Sequence, residues 1–250
     1  MPVTSTTSAP REAPVVYAET GSRIYAVMLA ILCVVIVLSG IGASKGVAFG
    51  PVITDAAFFI FPLSYILGDS ITEIYGARAA RIAITMGFVV NAASAAVYWV
   101  IIALPGLGGD YADAKQQALV VALGPVWQVV LAGMVGFAGG QSVNSLIMWL
   151  GKRRHKEKGL YARLASSTGL GELVDTVLFC TIAAPVIGLT GWRQWANYTV
   201  VGYLYKIAVQ YAVMPITAWA IRVIKRREPS YQAALQVIAR QGAPAAAVTG

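Results

Sequence analysis

Hydrophobic and polar positions follow one another along this chain in long blocks. Apolar runs of about 20 residues alternate with short stretches rich in glycine, proline and charged side chains. An α-helix needs about 20 apolar residues to cross the hydrocarbon core of a bilayer. The pattern therefore predicts six transmembrane helices, which we place at residues 24–42, 52–75, 82–104, 119–150, 169–189 and 198–224.

Glycine and proline positions refine these helices. Gly76 suits the C-terminal cap of the second helix, and Pro62 inside that helix predicts a kink or a broken helix. In the fourth helix, Ala132, Gly136 and Gly140 recur at four-residue spacing. Such a line of small residues is typical of helices that approach one another closely in membranes, so we expect a neighbouring helix to pack there.

The two ends of the chain differ from its apolar centre. Residues 1–22 are rich in Thr, Ser, Ala and Pro, a composition typical of disordered segments. Residues 228–250 are rich in Ala, Gln and Pro, and Tyr231–Arg240 is predicted to form a short surface helix. We therefore divide the chain into a cytoplasmic tail (1–22), a six-helix transmembrane domain (23–227) and a second cytoplasmic tail (228–250).

Composition and charge support a membrane protein. The 250 residues are 58% hydrophobic and 12% charged, whereas a soluble domain carries about 25% charged residues. The net charge of +8 would suggest nucleic acid as a partner of a soluble protein. With six spans, however, 15 basic residues fall on one side and three on the other. This asymmetry follows the positive-inside rule and predicts an all-α integral membrane bundle with both termini cytoplasmic and no nucleic-acid partner.

Polar residues within the predicted spans are the candidates for a functional site, because such residues usually face a bundle interior or a wet cavity. Glu73 could instead pair with Arg78 near the membrane surface, and Glu172 could favour a helix N-terminus. At a rise of 1.5 Å per residue, Asp69, Glu172 and Asp175 lie at similar depths on the cytoplasmic side of the bilayer midplane. Lys206 lies roughly 6 Å to the outer side of the midplane. The candidate substrate-binding residues are Asp69, Glu73, Gln141, Asn144, Glu172, Asp175 and Lys206.

These residue types indicate binding rather than catalysis. Carboxylates accept paired N–H donors or attract a cation, and a lysine or a glutamine can donate to acceptor groups. The set fits a planar, donor-rich, cationic small molecule, and it also fits a proton relay. The chain has no P-loop and no nucleophile–base set, and its two cysteines and one histidine form no metal-binding motif. We therefore expect a carrier with no catalytic residues, no metal and no cofactor.

Three stretches of these spans form short sequence motifs. The first is Phe61-Pro62, Gly68-Asp69-x-x-Thr72-Glu73-x-Tyr75-Gly76 and Ala79-Ala80-Arg81. The second is Gly140-Gln141-x-x-Asn144, and the third is Gly171-Glu172-x-x-Asp175-Thr176 with the later Tyr205-Lys206. Together these motifs resemble those of one family, the queuosine precursor transporters, also called the putative vitamin uptake transporter family. The similarity covers roughly residues 24–227.

The resemblance implies a six-helix protein of the cell inner membrane that imports a 7-deazaguanine precursor of queuosine. The precursor would be 7-cyano- or 7-aminomethyl-7-deazaguanine, used for tRNA modification. The expected partners are this small molecule and the lipid bilayer; a homodimer stays open, and the family implies no separate ATP-driven module. One departure is Ser39-Gly40, where members often carry Ser-Asn late in the first helix. This leaves open whether that position contacts a ligand.

Other functions are compatible with the same residues. The chain could carry another flat heterocyclic vitamin. It could also be the substrate-binding membrane subunit of an ATP-driven system, docking through the small residues Ala26 and Ala30 of the first helix. A structural membrane protein without a substrate is the third alternative. In that case Asp69, Asp175 and Lys206 would point at neighbouring helices and leave no cavity.

Overall fold

The computed structural model describes residues 16–155 and 160–242. Within this part of the chain, five segments are long and apolar enough to cross a membrane, which agrees with the predicted helical membrane architecture. The six-helix count and the cytoplasmic termini stay predictions. The helices and strands, in chain order, are α1 (Arg23–Gly42), β1 (Gly46–Phe49), β2 (Val52–Asp55), α2 (Phe61–Ala103), α3 (Asp110–Leu123), α4 (Val126–His155), α5 (Leu160–Ala183), α6 (Trp192–Arg227) and α7 (Pro229–Gly242).

The long helix α2 reverses direction at Gly76. The backbone there has φ 87° and ψ 164°, a conformation that glycine adopts without steric cost. Tyr75 and Ala79 lie near the start of α1, where Tyr75 contacts Ser22. Asn91, further along α2, lies instead beside Gly40 near the end of α1. Residues 61–75 and 77–103 therefore run along α1 in opposite directions. This agrees with the prediction of two separate helices, before and after Gly76.

A β-hairpin replaces the predicted start of the second helix. Strands β1 and β2 pair antiparallel around a turn in which Gly50 has φ 60°, and a short 3-10 helix, Ala56–Phe59, follows. Helix α2 therefore begins at Phe61 rather than at residue 52, which corrects the predicted range 52–75. Pro62 lies in the first turn of α2, where its missing N–H costs no helical hydrogen bond. The predicted helix is therefore broken just before Pro62, which is one of the two predicted outcomes, rather than kinked at it.

Helices α4 and α5 pack closely along the line of small residues predicted in α4. A Cβ atom on Gly136 would lie 2.6 Å from Asp175 Oδ1, and one on Gly140 would lie 2.8 Å from the carbonyl oxygen of Gly171. Ala132 is fully buried on the same line. The glycines are needed because any side chain would separate the two helices. The predicted close helix contact is confirmed, and it holds Asp175 against α4.

Several other boundaries differ from those predicted, and residues 119–123, predicted as the start of the fourth helix, instead form the end of α3. Helix α4 continues to His155 and α5 begins at Leu160, so residues 151–155 and 160–168, which lie between the predicted fourth and fifth helices, are helical. Residues 156–159 lie outside the described part. Residues 16–22 fall within the predicted disordered tail, yet Ala18 is buried and its N–H donates to the carbonyl oxygen of Ile74. The predicted tail at residues 1–15 is also outside the described residues.

The predicted surface helix near the C-terminus is confirmed and is longer than expected, since α7 covers Pro229–Gly242. Tyr231 packs against the hydrophobic core formed by α1 and α2. The N-terminal segment and the start of α7 are joined by a hydrogen bond from the N–H of Glu19 to Ser230 Oγ, 3.1 Å long. Both ends of the described chain therefore meet at one end of the helical bundle.

Candidate substrate-binding site

Lys206 on α6 forms ion pairs with two acids on α5. Its ammonium group donates a hydrogen bond to Asp175 Oδ2. Glu172 Oε2 lies 3.7 Å from the same nitrogen, close enough for an ion pair but too far for a hydrogen bond. Glu172 and Asp175 are three residues apart and therefore share one face of α5. The structure thus brings together three of the residues predicted for the site.

Lys206 and these acids lie in contact, although the sequence-based depths placed them on opposite sides of the midplane. Because α5 begins at Leu160 and α6 begins at Trp192, Glu172 lies near the middle of α5 and Lys206 lies near the middle of α6. The sequence-based depths assumed that each helix coincided with its most apolar run. Charged groups at mid-helix are expensive in a bilayer unless they are paired, which explains why these three residues lie together.

Aromatic rings surround this charged group. The ring centroid of Phe61 lies 5.8 Å from Lys206 Nζ, within the range of a cation–π interaction. Phe61 packs edge-to-face with Tyr65, one turn later on α2, at a centroid distance of 5.0 Å. The Tyr65 hydroxyl is within electrostatic range of Glu172 and Asp175. The first turns of α2 therefore provide flat apolar surfaces beside the acids.

The 3-10 helix adds a second aromatic contact beside Lys206. Tyr205, the neighbour of Lys206 in α6, donates a 2.5 Å hydrogen bond to the carbonyl oxygen of Phe58. The rings of the two residues are 5.3 Å apart, edge to face. This pair fixes the start of α2 against α6, so the orientation of Lys206 depends on both segments.

Asp55, at the end of β2, is a buried acid that was not predicted for the site. Its Oδ1 caps the 3-10 helix by accepting from the N–H of Ala57 at 2.9 Å, and its Oδ2 accepts from the Tyr198 hydroxyl at 2.5 Å. Lys206 is within electrostatic range of this carboxyl group. The sequence carries one local signal, since an aspartate directly before an apolar helical run is typical of a helix N-cap.

The environment of Asp55 acts on its ionisation in two directions. Burial raises the pKa of the Asp55 carboxyl group, because the charged form loses its hydration. The hydrogen bonds from Tyr198 and the N–H of Ala57, together with the charge of Lys206, favour the ionised form and oppose that rise. Asp55 therefore extends the group of acids around Lys206 toward the β-hairpin.

Asn197 connects the hairpin to α6. Its side-chain oxygen accepts from the N–H of Ile53 at 2.9 Å, and its side-chain nitrogen donates to the carbonyl oxygen of Pro51 at 3.0 Å. This amide satisfies one donor and one acceptor of the hairpin backbone, which otherwise lack partners at a sheet edge. The hairpin is thereby attached to the helix that carries Lys206.

The other four predicted residues lie in the described part of the chain and form no hydrogen bond or ion pair with Lys206 there. Asp69 is exposed on α2, one turn beyond Tyr65, with which it interacts electrostatically. Glu73 accepts a hydrogen bond from Lys225 Nζ at 2.6 Å, so its partner is a lysine of α6 rather than Arg78. Gln141 is exposed on α4. The Asn144 Cβ would lie 3.2 Å from a Cβ on Gly171, which places Asn144 in the contact between α4 and α5.

Asn91 fills the space beside Gly40, the position that departs from the family pattern. A Cβ on Gly40 would lie 3.0 Å from Asn91 Oδ1. Asn91 is buried, and within the described residues neither its Oδ1 nor Ser39 Oγ has a hydrogen-bond partner. An amide therefore reaches this position from α2, although α1 carries a glycine there.

The described residues contain no group of three or more His, Cys, Asp and Glu side chains arranged to hold a metal ion. Two grooves, of about 410 and 730 Å³, run along α2 and α4. They share Ala92 and Met134 and are lined mainly by apolar residues, apart from Arg81 and Thr85. The group around Lys206 is separate from both grooves, so it is the polar site within the spans that best suits a charged or hydrogen-bonding ligand.

Comparison with known proteins identifies one family. The profile of the putative vitamin uptake transporter family matches residues 55–220, about two thirds of the chain. Neither the curated proteins nor the solved structures gave a match. The matched region begins at Asp55 and includes Glu172, Asp175 and Lys206. This multi-pass membrane protein therefore belongs to the putative vitamin uptake transporter family, whose members are transporters of the vitamin-uptake type.

Proposed function

We propose that this protein is a secondary transporter that imports a 7-deazaguanine precursor of queuosine across the cell inner membrane. The observation that carries the proposal is the hydrogen bond between Lys206 and Asp175, with Glu172 beside it, near the middle of two adjacent helices. The family match supports a transporter, and the residue chemistry supports this substrate.

The carboxylate of Asp175 is suited to a guanine-type edge. Such an edge presents two parallel N–H donors, which one carboxylate accepts through both oxygens. The ammonium group of Lys206 would then donate to the carbonyl oxygen of the substrate, and the rings of Phe61 and Tyr65 would pack against its flat face. Without substrate, the ammonium group of Lys206 donates a hydrogen bond to Asp175. When the substrate binds, its N–H groups would replace Lys206 as the donors, so the carboxylate keeps a hydrogen-bond partner throughout.

The remaining predicted residues fit a route toward this site. Asp69 and Glu73 lie one and two turns beyond Tyr65 on the same helix, and we propose that they contact the substrate on its way to or from Asp175. Gln141 and Asn144 would act similarly on α4. The substrate would meet these residues one after another as it moves along α2 and α4.

The decisive experiment is uptake in cells that cannot make queuosine. The chain is expressed, a precursor is supplied at nanomolar concentration, and queuosine is measured in tRNA. Expression should raise queuosine above the empty vector, and Asp175→Asn should remove the gain while the protein still reaches the membrane. Glu19→Gln, a change of an exposed acid outside the spans, is the matched control. No gain over the empty vector with the unmodified chain would contradict the proposal.

A substrate-binding subunit of an ATP-driven system is the second candidate, because one observation favours it. Ala26 and Ala30 are both exposed on α1, where a partner helix could approach closely. Uptake by proteoliposomes that contain only the purified chain separates the two candidates. Uptake without ATP supports a secondary transporter, whereas binding without uptake supports a subunit. Neither binding nor uptake would favour a structural role.

A further inference from the structure

We propose that Glu172 makes this site selective for a substrate with a protonated amine, and so for 7-aminomethyl-7-deazaguanine over 7-cyano-7-deazaguanine. This inference rests on the proposed function. It concerns the charge balance of the site, which the family match does not address.

The acids around Lys206 outnumber the bases. Glu172 and Asp175 pair with one ammonium group, that of Lys206, and no other ion pair to either acid occurs among the side chains that the structure describes. Asp55 is a further acid within electrostatic range of Lys206. When both α5 carboxylates are ionised, the group formed by Glu172, Asp175 and Lys206 carries one net negative charge. In a low-dielectric setting such an excess favours a ligand that brings the missing charge.

Glu172 is the acid with unused acceptor capacity. Lys206 donates its hydrogen bond to Asp175, whereas Glu172 Oε2 is 3.7 Å away. That oxygen is buried and accepts no hydrogen bond from the described residues. Leaving a buried acceptor without a donor is costly, so a donor on the ligand would be favoured there. Asp175 can hold the ring edge while Glu172 accepts from a substituent.

The two precursors differ in this substituent alone. A primary aliphatic amine, like the lysine side chain, has a pKa of about 10 and carries a proton at neutral pH. A nitrile is uncharged and has no N–H donor. The amine can therefore donate a charge-assisted hydrogen bond to Glu172, and the adjacent faces of Phe61 and Tyr65 also suit a cation. The nitrile would leave Glu172 Oε2 without a donor.

Equilibrium binding of both precursors to the purified full-length protein tests the proposal. We expect the amine-bearing precursor to bind at least about tenfold more tightly, as one charge-assisted hydrogen bond would provide. Glu172→Gln should bring the ratio of the two dissociation constants close to one, mainly by weakening the binding of the amine-bearing precursor. Glu172→Asp, which keeps the charge, should retain part of the preference, and Glu19→Gln should retain all of it.

The outcomes separate this inference from the proposed function. Equal affinity for both precursors, or tighter binding of the nitrile, would overturn the selectivity while leaving the transporter proposal in place. An unchanged preference in Glu172→Gln would overturn the role of Glu172. If the unmodified protein binds neither precursor, the proposed function itself fails, and the inference fails with it.

Discussion

Lys206 on α6 and Asp175 on α5 are hydrogen-bonded to each other near the middle of their helices. This contact joins two segments that the short 3-10 helix Ala184–Ile187 and a turn connect at one end. It also places the only lysine within the apolar part of α6 against the helix that packs most tightly on α4. The pair is therefore both a structural link and the centre of the proposed site.

Single and double substitutions should separate these two roles. Asp175→Asn removes the negative charge to which Lys206 donates its hydrogen bond, but Glu172 stays 3.7 Å from the ammonium group. We therefore expect a loss of stability smaller than the about 3–5 kcal/mol that is typical when a buried ion pair is broken. Adding Lys206→Met should lower stability further, because Glu172 then loses the ammonium group with which it pairs. Uptake should stay absent in the single and the double variant. Thermal unfolding in detergent and the tRNA assay measure the two effects.

A double variant that regained uptake would contradict a direct role of Asp175 in binding. The reciprocal exchange, Asp175→Lys with Lys206→Asp, provides a further control. It restores an ion pair but moves the carboxylate to α6, so we expect a folded protein without uptake.

The close packing of α4 on α5 should be sensitive to a single methyl group. Gly140→Ala would place its Cβ 2.8 Å from the carbonyl oxygen of Gly171 and 2.9 Å from Asp175 Cβ. Overpacking of this kind costs about 1–3 kcal/mol. Gly133→Ala, also on α4, would meet only an ordinary contact at 3.6 Å from the Phe88 ring. Melting temperatures should fall for Gly140→Ala and hold or rise for Gly133→Ala, and equal effects would contradict the described packing.

Tyr198 should stabilise the hairpin through Asp55. Tyr198→Phe removes the donor to Asp55 Oδ2 and leaves a buried carboxyl oxygen without a partner, which costs about 1–3 kcal/mol. The comparison variant is Tyr203→Phe, whose hydroxyl makes a longer, 3.2 Å hydrogen bond to the carbonyl oxygen of Gly169. We expect the larger loss of thermal stability in Tyr198→Phe. A larger loss in Tyr203→Phe would show that Asp55 does not depend on this bond.

Glu228 should make stability depend on pH. Burial disfavours its charge, but hydrogen bonds from Tyr75, Ser230 and Ser22 outweigh burial and lower the pKa of Glu228 in the folded protein. The unfolded state then binds a proton more readily, so the stabilising contribution is complete above the unfolded pKa of about 4.3. It is lost as the pH falls through the lower folded pKa.

The difference in melting temperature between the unmodified protein and Glu228→Gln measures this contribution. It should be constant near neutral pH and shrink below about pH 4.3. Asp113→Asn, an exposed acid on α3, serves as the control and should show no comparable change. A difference that grew toward acid pH would mean that Glu228 binds its proton more tightly when folded, contrary to the described hydrogen bonds.

Much of the membrane architecture could be predicted from the chain because hydropathy is a local property. A run of about 20 apolar residues is stable in few environments other than a bilayer, where it must be helical. The helical segments, and the polar residues within them, can therefore be predicted from the sequence. The i, i+3 spacing of Glu172 and Asp175 also determines that they share a helix face, whatever surrounds them. The small residues at Ala132, Gly136 and Gly140 indicated a close contact for the same local reason.

Tertiary structure alone decided which groups meet. Lys206 is 31 residues from Asp175, and Tyr198 is 143 residues from Asp55, so no spacing rule connects them. The hairpin at residues 46–55 was missed because its apolar residues resemble a helix start. The two strands pair with each other, and Asn197, which is distant in sequence, hydrogen-bonds to their backbone. Glu73 met Lys225 rather than Arg78 because α2 packs beside the end of α6. Local hydropathy thus determined where the chain is helical, while packing between distant segments determined the partners of its charged residues.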